Sequence, residues 1–207
     1  MKVTKLNPIA KNRIQVVFED DFSFVLYKGE VRSFKIVEGE ELSDSSYREI
    51  IEKVLPKRAT LRAMNLLKVR PYTVSGLTQK LHEGGYPDSA VSAAIEYVSS
   101  YHYLDDLQYA IDYINTYKDR KSCQRIMQDL KLKGISKADI ENALAEEWDD
   151  EAANLEEEQI RSFLKKKGFD SETSTYEEKA KILSSLYRKG FSVEMCRKIM
   201  GDFGEFT

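Results

Sequence analysis

The chain has 207 residues, 42% of them apolar and 32% charged, with a formal net charge of -3. Such a composition can build cores but leaves much charged surface exposed, and its apolar runs are too short for a membrane span, in keeping with a mean hydropathy of -0.50. The small net charge gives no overall polyanion signature, the N-terminus lacks the apolar segment of a secretion signal, and Cys123 and Cys196 are too few and too far apart for a disulfide framework or zinc site, so a soluble cytoplasmic protein is expected.

Residues 1–57 read as a β-rich appendage. Segments 13–18 and 22–27 are rich in β-branched and aromatic residues around a short polar connection, which predicts a hairpin. Residues 31–37 are read as a third strand. Ser43 to Ser46 can then cap a short helix over 47–55. So small a sheet is marginal alone and needs a neighbour against its apolar face.

From Arg58 onward the pattern is helical and repeats. The stretches LHEGGYPDSAVSAAI, LKLKGISKADIENAL and LYRKGFSVEMCRKIM align without a gap. Each has a leucine (Leu81, Leu130, Leu186) four residues before a glycine (Gly85, Gly134, Gly190). A bulky apolar residue follows directly (Tyr86, Ile135, Phe191). The spacing predicts helix, tight turn, helix, with the glycine in a left-handed helix-ending position. Ser136 with Asp139, Ser192, and Pro87 with Asp88 carry helix-start signals on the far side. A helix precedes each pair, over residues 59–70, 104–118 and 149–167. The expected architecture is mainly all-α: three tandem three-helix repeats in an elongated array, with the small β appendage at the N-terminus. The expected boundaries are 1–57, 58–103, 104–148 and 149–207.

Catalytic patterns are missing from the sequence. His82 and His102 lie on different predicted elements and read as surface or half-buried helix residues, and the two cysteines as small apolar fillers. No phosphate-loop, dinucleotide-binding or nucleophile-elbow motif occurs. The acidic stretch from Glu146 to Glu151 lacks the glycine and alternating ligands of a calcium loop and reads as a solvated helix junction. Trp148 within it reads as a packing anchor between repeats. No enzymatic activity, metal or cofactor is expected; a metal-binding enzyme centred near Asp149 is the reading set against this.

Charge is segregated along the chain. Between Lys118 and Lys137 seven Lys and Arg face two Asp, whereas from Glu141 to Glu158 there are nine acids and no base. Basic residues return at Lys165, Lys166, Lys167, Arg188 and Lys189. Cations beside helix-turn-helix corners can meet phosphates without reading sequence. The candidate nucleic-acid or filament contacts are therefore Lys118, Arg120, Lys121, Arg125, Lys131, Lys133, Lys165, Lys166, Lys167, Arg188 and Lys189. The third helices at Asp88 to Ser100 and Lys137 to Trp148 carry little positive charge, which disfavours base-specific readout.

The succession Arg70-Pro71-Tyr72-Thr73, Leu77, Leu81, Gly85-Tyr86, then Tyr103-Leu104-Asp105-Asp106 with Tyr109-Ala110, then Arg120, Leu130, Gly134-Ile135-Ser136, Ala143-Leu144 and finally Gly190-Phe191-Ser192 resembles the RecX regulatory proteins over about residues 58–203. Ser122-Cys123 and Gly76-Leu77 depart from the family's habit of Gly-Pro and Glu-Leu at those places. The resemblance implies a non-enzymatic modulator, with no cofactor, of the RecA recombinase. Its partners would be the RecA filament and single-stranded DNA, with double-stranded DNA a further possible partner. It implies no membrane association and a monomer. The alternative is a stand-alone DNA-binding helix-turn-helix repeat module that does not touch RecA.

Overall fold

The structure is a computed structural model that describes residues 1–201; residues 202–207, the end of the expected third repeat, lie outside the described residues. Two units divide the chain, Met1–Asp105 and Asp106–Thr207.

In the first unit the hairpin forms as expected, from β2 (Arg13–Phe18) and β3 (Ser23–Tyr27). The third strand is not where residues 31–37 were read. It is β1 (Val3–Ala10), in an antiparallel sheet of order β1-β2-β3. Residues 31–37 instead hold the end of α1 (Lys28–Ser33) and the turn after it. Only Val31 and Ile36 of that segment are well buried, and Val37 is exposed. Strand β1 escapes notice because it lies at the sheet edge, carries Pro8, and buries little beyond Val3.

The two helices expected over 47–55 and 59–70 are one rod. Helix α2 (Asp44–Glu49), capped by Ser43, runs through a π-helical turn (Ile50–Val54) directly into α3 (Leu55–Leu67). The wide turn just ahead of Pro56 suits a residue that cannot donate an N–H and clashes with the carbonyl four residues back. Helices α4 (Val74–Glu83) and α5 (Asp88–Ser100) complete the first bundle. Fully buried Ala59, Ala63, Ala90 and Ala94 let α3 and α5 pack closely over Leu77, Leu81 and Val98. The apolar face of the sheet, with Val16, Phe18, Phe24 and Leu26, belongs to the same core.

The second unit contains two three-helix bundles, α6 (Asp106–Tyr117), α7 (Cys123–Leu132) and α8 (Lys137–Glu147), then α9 (Asp150–Lys166), α10 (Tyr176–Arg188) and α11 (Val193–Met200). Each has its own core, one around Ile114, Ile126, Leu130 and Ile140, the other around Ile160, Leu183, Leu186 and Cys196. Trp148, half-buried, packs onto the first of these cores. Asp149 caps α9 by accepting the Ala152 N–H at 2.9 Å.

The repeated skeleton is a Schellman helix ending. At Gly85, Gly134 and Gly190 φ is +81°, +79° and +90°. The apolar residue after each glycine returns its N–H to the leucine carbonyl five positions earlier: Tyr86 to Leu81 at 3.4 Å, Ile135 to Leu130 and Phe191 to Leu186 both at 3.2 Å. The leucine and the apolar residue are therefore the two ends of one capping contact. The same backbone pattern ends α1 at Lys35, α5 at His102 and α9 at Gly168. Lys35 and His102 adopt it with φ of +51° and +56°, which glycine enters more cheaply. His102 is thus a helix-terminating residue rather than a helical one.

Candidate nucleic-acid interface

Ser122 organises a site inside the second unit. It is buried and N-caps α7, accepting the Arg125 N–H at 3.3 Å while its hydroxyl donates to the Lys189 carbonyl at 3.0 Å. The α10–α11 corner is thereby docked on the start of α7. The approach is close enough that a Cβ at Gly190 would stand 2.6 Å from the Ser122 hydroxyl and 3.1 Å from the Arg125 nitrogen. Gln159 of α9 adds a second tie, donating to the Lys118 carbonyl at 2.9 Å.

Between these docked elements lies a cleft of about 690 Å³. Six of the expected cations line it: Arg120, Lys121, Arg125, Lys166, Arg188 and Lys189. Among the described residues Asp119 and Glu158 are its only acids, and Phe163 and Phe191 supply apolar wall. The cations come from three separated stretches of sequence, and their convergence is a product of the docking.

They fall into two groups. Lys121 bonds Asp129 and the Tyr113 hydroxyl, each at 2.8 Å, and sits 4.1 Å from the Tyr117 ring centre. Arg125 reaches the other Asp129 oxygen at 3.2 Å. Burial alone would lower the Lys121 pKa, but its bonds to Asp129 and Tyr113 outweigh that and hold it above the usual lysine value. Burial likewise pushes Asp129 up, and Lys121 and Tyr113 outweigh it, leaving the carboxyl below its usual value. Both stay charged at neutral pH. Arg120 pairs with Asp119 at 3.2 Å. Lys166, Arg188 and Lys189 are exposed and form no ion pair among the described residues, Lys189 lying 5.6 Å from the Phe163 ring centre. The first group is a fixed positive wall, whereas the second can reach a ligand.

The remaining expected residues lie off the cleft. Lys118 offers only its backbone carbonyl to the site. Lys131 is exposed on α7, and the Lys133 ammonium rests 5.4 Å from the Tyr113 ring centre. Lys165 and Lys167 are exposed at the end of α9. Ser122, Gln159, Phe163 and Phe191 also belong to this site, although they carry no charge that would mark them for it in the sequence. Ser122 did leave a signal, because Ser122-Cys123 is one of the two departures from the pattern that the sequence otherwise resembles.

Beneath the cleft, Glu156 is the only buried acid among the described residues. Burial raises its pKa against the pull of the Cys123 N–H. Burial, with Glu156 nearby, also lifts the Cys123 and Cys196 thiols to about 11, so both are neutral and inert at physiological pH. No group of three or more His, Cys, Asp or Glu among the described residues could hold a metal ion, and no described helix is long and apolar enough to cross a membrane.

Comparison with known proteins gives a consistent result. Three family profiles match in order: the first three-helix domain of RecX at residues 59–97, the second at 105–144 and the third at 155–200, together more than half the chain. A Regulatory protein RecX from Leuconostoc mesenteroides is 29% identical over 96% of this chain and 74% of its own length. One from Clostridium botulinum is 26% identical over 99% of this chain and 97% of its own. A crystal structure of regulatory protein RecX superposes with a TM-score of 0.64 at 23% identity, covering 98% of this chain and 99% of the other. The crystal structure of RecX from Lactobacillus salivarius gives 0.60, also at 23% identity, over 70% and 94%.

Proposed function

The chain belongs to the RecX family, and from that premise we propose that it binds the filament formed by the RecA recombinase on single-stranded DNA and restrains the filament's ATP hydrolysis and strand exchange. It does so as a monomeric, cytoplasmic binding protein in recombination and DNA repair, without catalysing a reaction and without a cofactor. The observation that carries this reading is the cleft of the second unit. Six cations from separate segments converge there around two aromatic rings, with a fixed wall at Lys121 and Arg125 and exposed groups at Arg188 and Lys189. Such a surface holds phosphates through charge without reading sequence, and the half-buried Phe163 is its one aromatic ring open to a base, Phe191 being buried in the core. The third helices of the first two repeats support the same view: α5 carries no Lys or Arg, and α8 carries only Lys137. They lack the side chains of a base-reading helix.

The test is to titrate the chain into RecA hydrolysing ATP on single-stranded DNA, with co-sedimentation run in parallel. Inhibition with co-sedimentation is expected. The double variant Arg120→Glu/Arg188→Glu, removing two phosphate contacts worth about fivefold each near 0.1 M salt, weakens both by roughly 25-fold. Co-sedimentation with naked DNA but not with the filament would replace this reading with the stand-alone DNA-binding one. No binding to either would remove both.

A further inference from the structure

The corner at Gly85 is docked as the corner at Gly190 is, but onto the sheet. The Val25 N–H of β3 donates to the Gly85 carbonyl at 3.2 Å, and the Arg13 guanidinium of β2 donates to the Gly84 carbonyl. In both units the carbonyl just before the left-handed glycine, Gly84 or Lys189, accepts a side-chain bond from the element it docks on.

A second basic cleft, of about 440 Å³, opens beside this corner. Arg13, Arg58, Arg62 and Lys80 line it together with Tyr27 and Tyr86. Arg58 is locked. Its guanidinium bonds Glu30 at 2.8 Å and the Val25 carbonyl at 3.2 Å, and its central carbon lies 4.0 Å from the Tyr27 ring centre and 5.8 Å from that of Tyr86. Lys80 pairs with Glu83 at 2.6 Å, but both side chains are more than 40% exposed, so water screens the pair. Arg62 is exposed and has no ion pair among the described residues. Four cations against Glu30 and Glu83 leave the cleft positive, and the charges at Arg13 and Arg58 are held in place before any ligand arrives.

We infer that this cleft is a second binding site for the phosphate backbone of single-stranded nucleic acid, built jointly by the N-terminal sheet and the first repeat. The inference rests on the proposed function and gives the β appendage a role in it: β2 supplies Arg13, and β3 supplies Tyr27. The ligand is a nucleic-acid strand rather than an acidic peptide because two aromatic rings, Tyr27 and Tyr86, line the cleft together with the cations. Tyr27 holds Arg58 against its ring and remains 42% exposed, leaving surface on which a base can stack. An acidic peptide would use the arginines and leave that surface idle.

The experiment uses the full chain without recombinase and follows the anisotropy of a fluorescein-labelled oligothymidine strand across a salt series. Arg62→Glu is the probe, because Arg62 is exposed and the fold does not depend on it; circular dichroism checks that the variant is folded. The dissociation constant is expected to rise about fivefold near 0.1 M salt and the slope of log K against log salt to shrink by about 0.7, with Arg62→Lys restoring most of both. If Arg62→Glu changes neither while Arg120→Glu/Arg188→Glu weakens binding, this inference fails and the reading of the second unit stands. If labelled polyglutamate binds and Arg62→Glu abolishes that binding alone, the cleft is a carboxylate site and the inference is overturned. If the unaltered chain does not bind the strand at all, this inference is overturned, while the proposed function stands or falls separately on co-sedimentation with the filament.

Discussion

The corners at Gly85 and Gly190 share one backbone conformation but dock on unlike surfaces. Gly85 presses on a strand, where a Cβ would overlap the Val25 side chain, and its carbonyl joins the edge of the sheet. Gly190 presses on the start of a helix, where the nearest atoms are a hydroxyl and a backbone amide. Each docking leaves a cationic cleft at its edge, with the apolar residue after the glycine, Tyr86 or Phe191, in the wall. A residue pattern that the helix needs for its own termination thus also supplies a smooth, side-chain-free knob. What the knob meets decides which charged residues are gathered around it.

The largest expected effect compares the two knobs directly. Gly85→Ala combines a left-handed alanine with overlap on a β-branched side chain in a sheet, and should cost about 3 kcal/mol of stability. Gly190→Ala should cost about 2 kcal/mol, since its nearest neighbours, the Ser122 hydroxyl and the Arg125 nitrogen, are met less closely than Val25 is at Gly85. The single tryptophan, Trp148, lies in the second unit. Urea unfolding followed by its fluorescence therefore reports Gly190→Ala, and circular dichroism reports Gly85→Ala. Equal costs would mean that the two dockings are equally tight. Next comes Ser122→Ala, which removes the α7 cap and the donor to Lys189 at once and should cost about 1–2 kcal/mol. A loss of only a few tenths would show that the docking of the second unit rests on shape alone.

A third difference is electrostatic. The docking in the second unit has Glu156 buried near it, whereas no acid is buried in the first unit among the described residues. Its raised pKa means that the folded state holds the proton more tightly than the unfolded chain. The stability it contributes is complete below its unfolded value near 4.5 and is lost as pH rises through the higher folded value. Asp129 works in the opposite sense: with its pKa lowered, its contribution is lost as pH falls. Glu156→Gln should therefore raise the urea midpoint at neutral pH and flatten its dependence above pH 4.5. An unchanged pH profile would mean that Glu156 is ionised in the folded state as readily as in the unfolded chain. The smallest effect belongs to a corner that lacks glycine. His102→Gly should stabilise the first unit by about 0.5–1 kcal/mol by relieving a left-handed histidine. Destabilisation would show that the imidazole makes a contact worth more than the strain.

The helices and their glycine endings were legible because the skeleton is local. Leu81, Gly85 and Tyr86 satisfy one another within six residues, and so do their counterparts. The same local logic also explains the error over residues 31–37: Val31 and Ile36 are the two ends of another such capping contact, closed by Lys35 where glycine would have announced it. Strand β1 was hidden because an edge strand that contains Pro8 and buries little beyond Val3 carries little alternation, and the α2–α3 rod because Pro56 reads as a break unless a π turn precedes it. The cation block from Lys118 to Lys137 was visible as charge, but its partition was not. Lys121 and Arg125 face the cleft while Lys131 and Lys133 do not, and that depends on how α9 and the Gly190 corner dock. The first-unit cleft was not legible in sequence, since Arg13, the Arg58 and Arg62 pair of α3, and Lys80 come from three separated stretches.

The most direct measurement is photocrosslinking of RecA filaments assembled on thiothymidine-substituted DNA, with the chain bound and its crosslinked peptides identified by mass. The account predicts crosslinks in the peptides that carry Arg120 to Arg125 and Arg188 to Phe191. Crosslinks confined to other surfaces, such as the exposed face of α8, would contradict it.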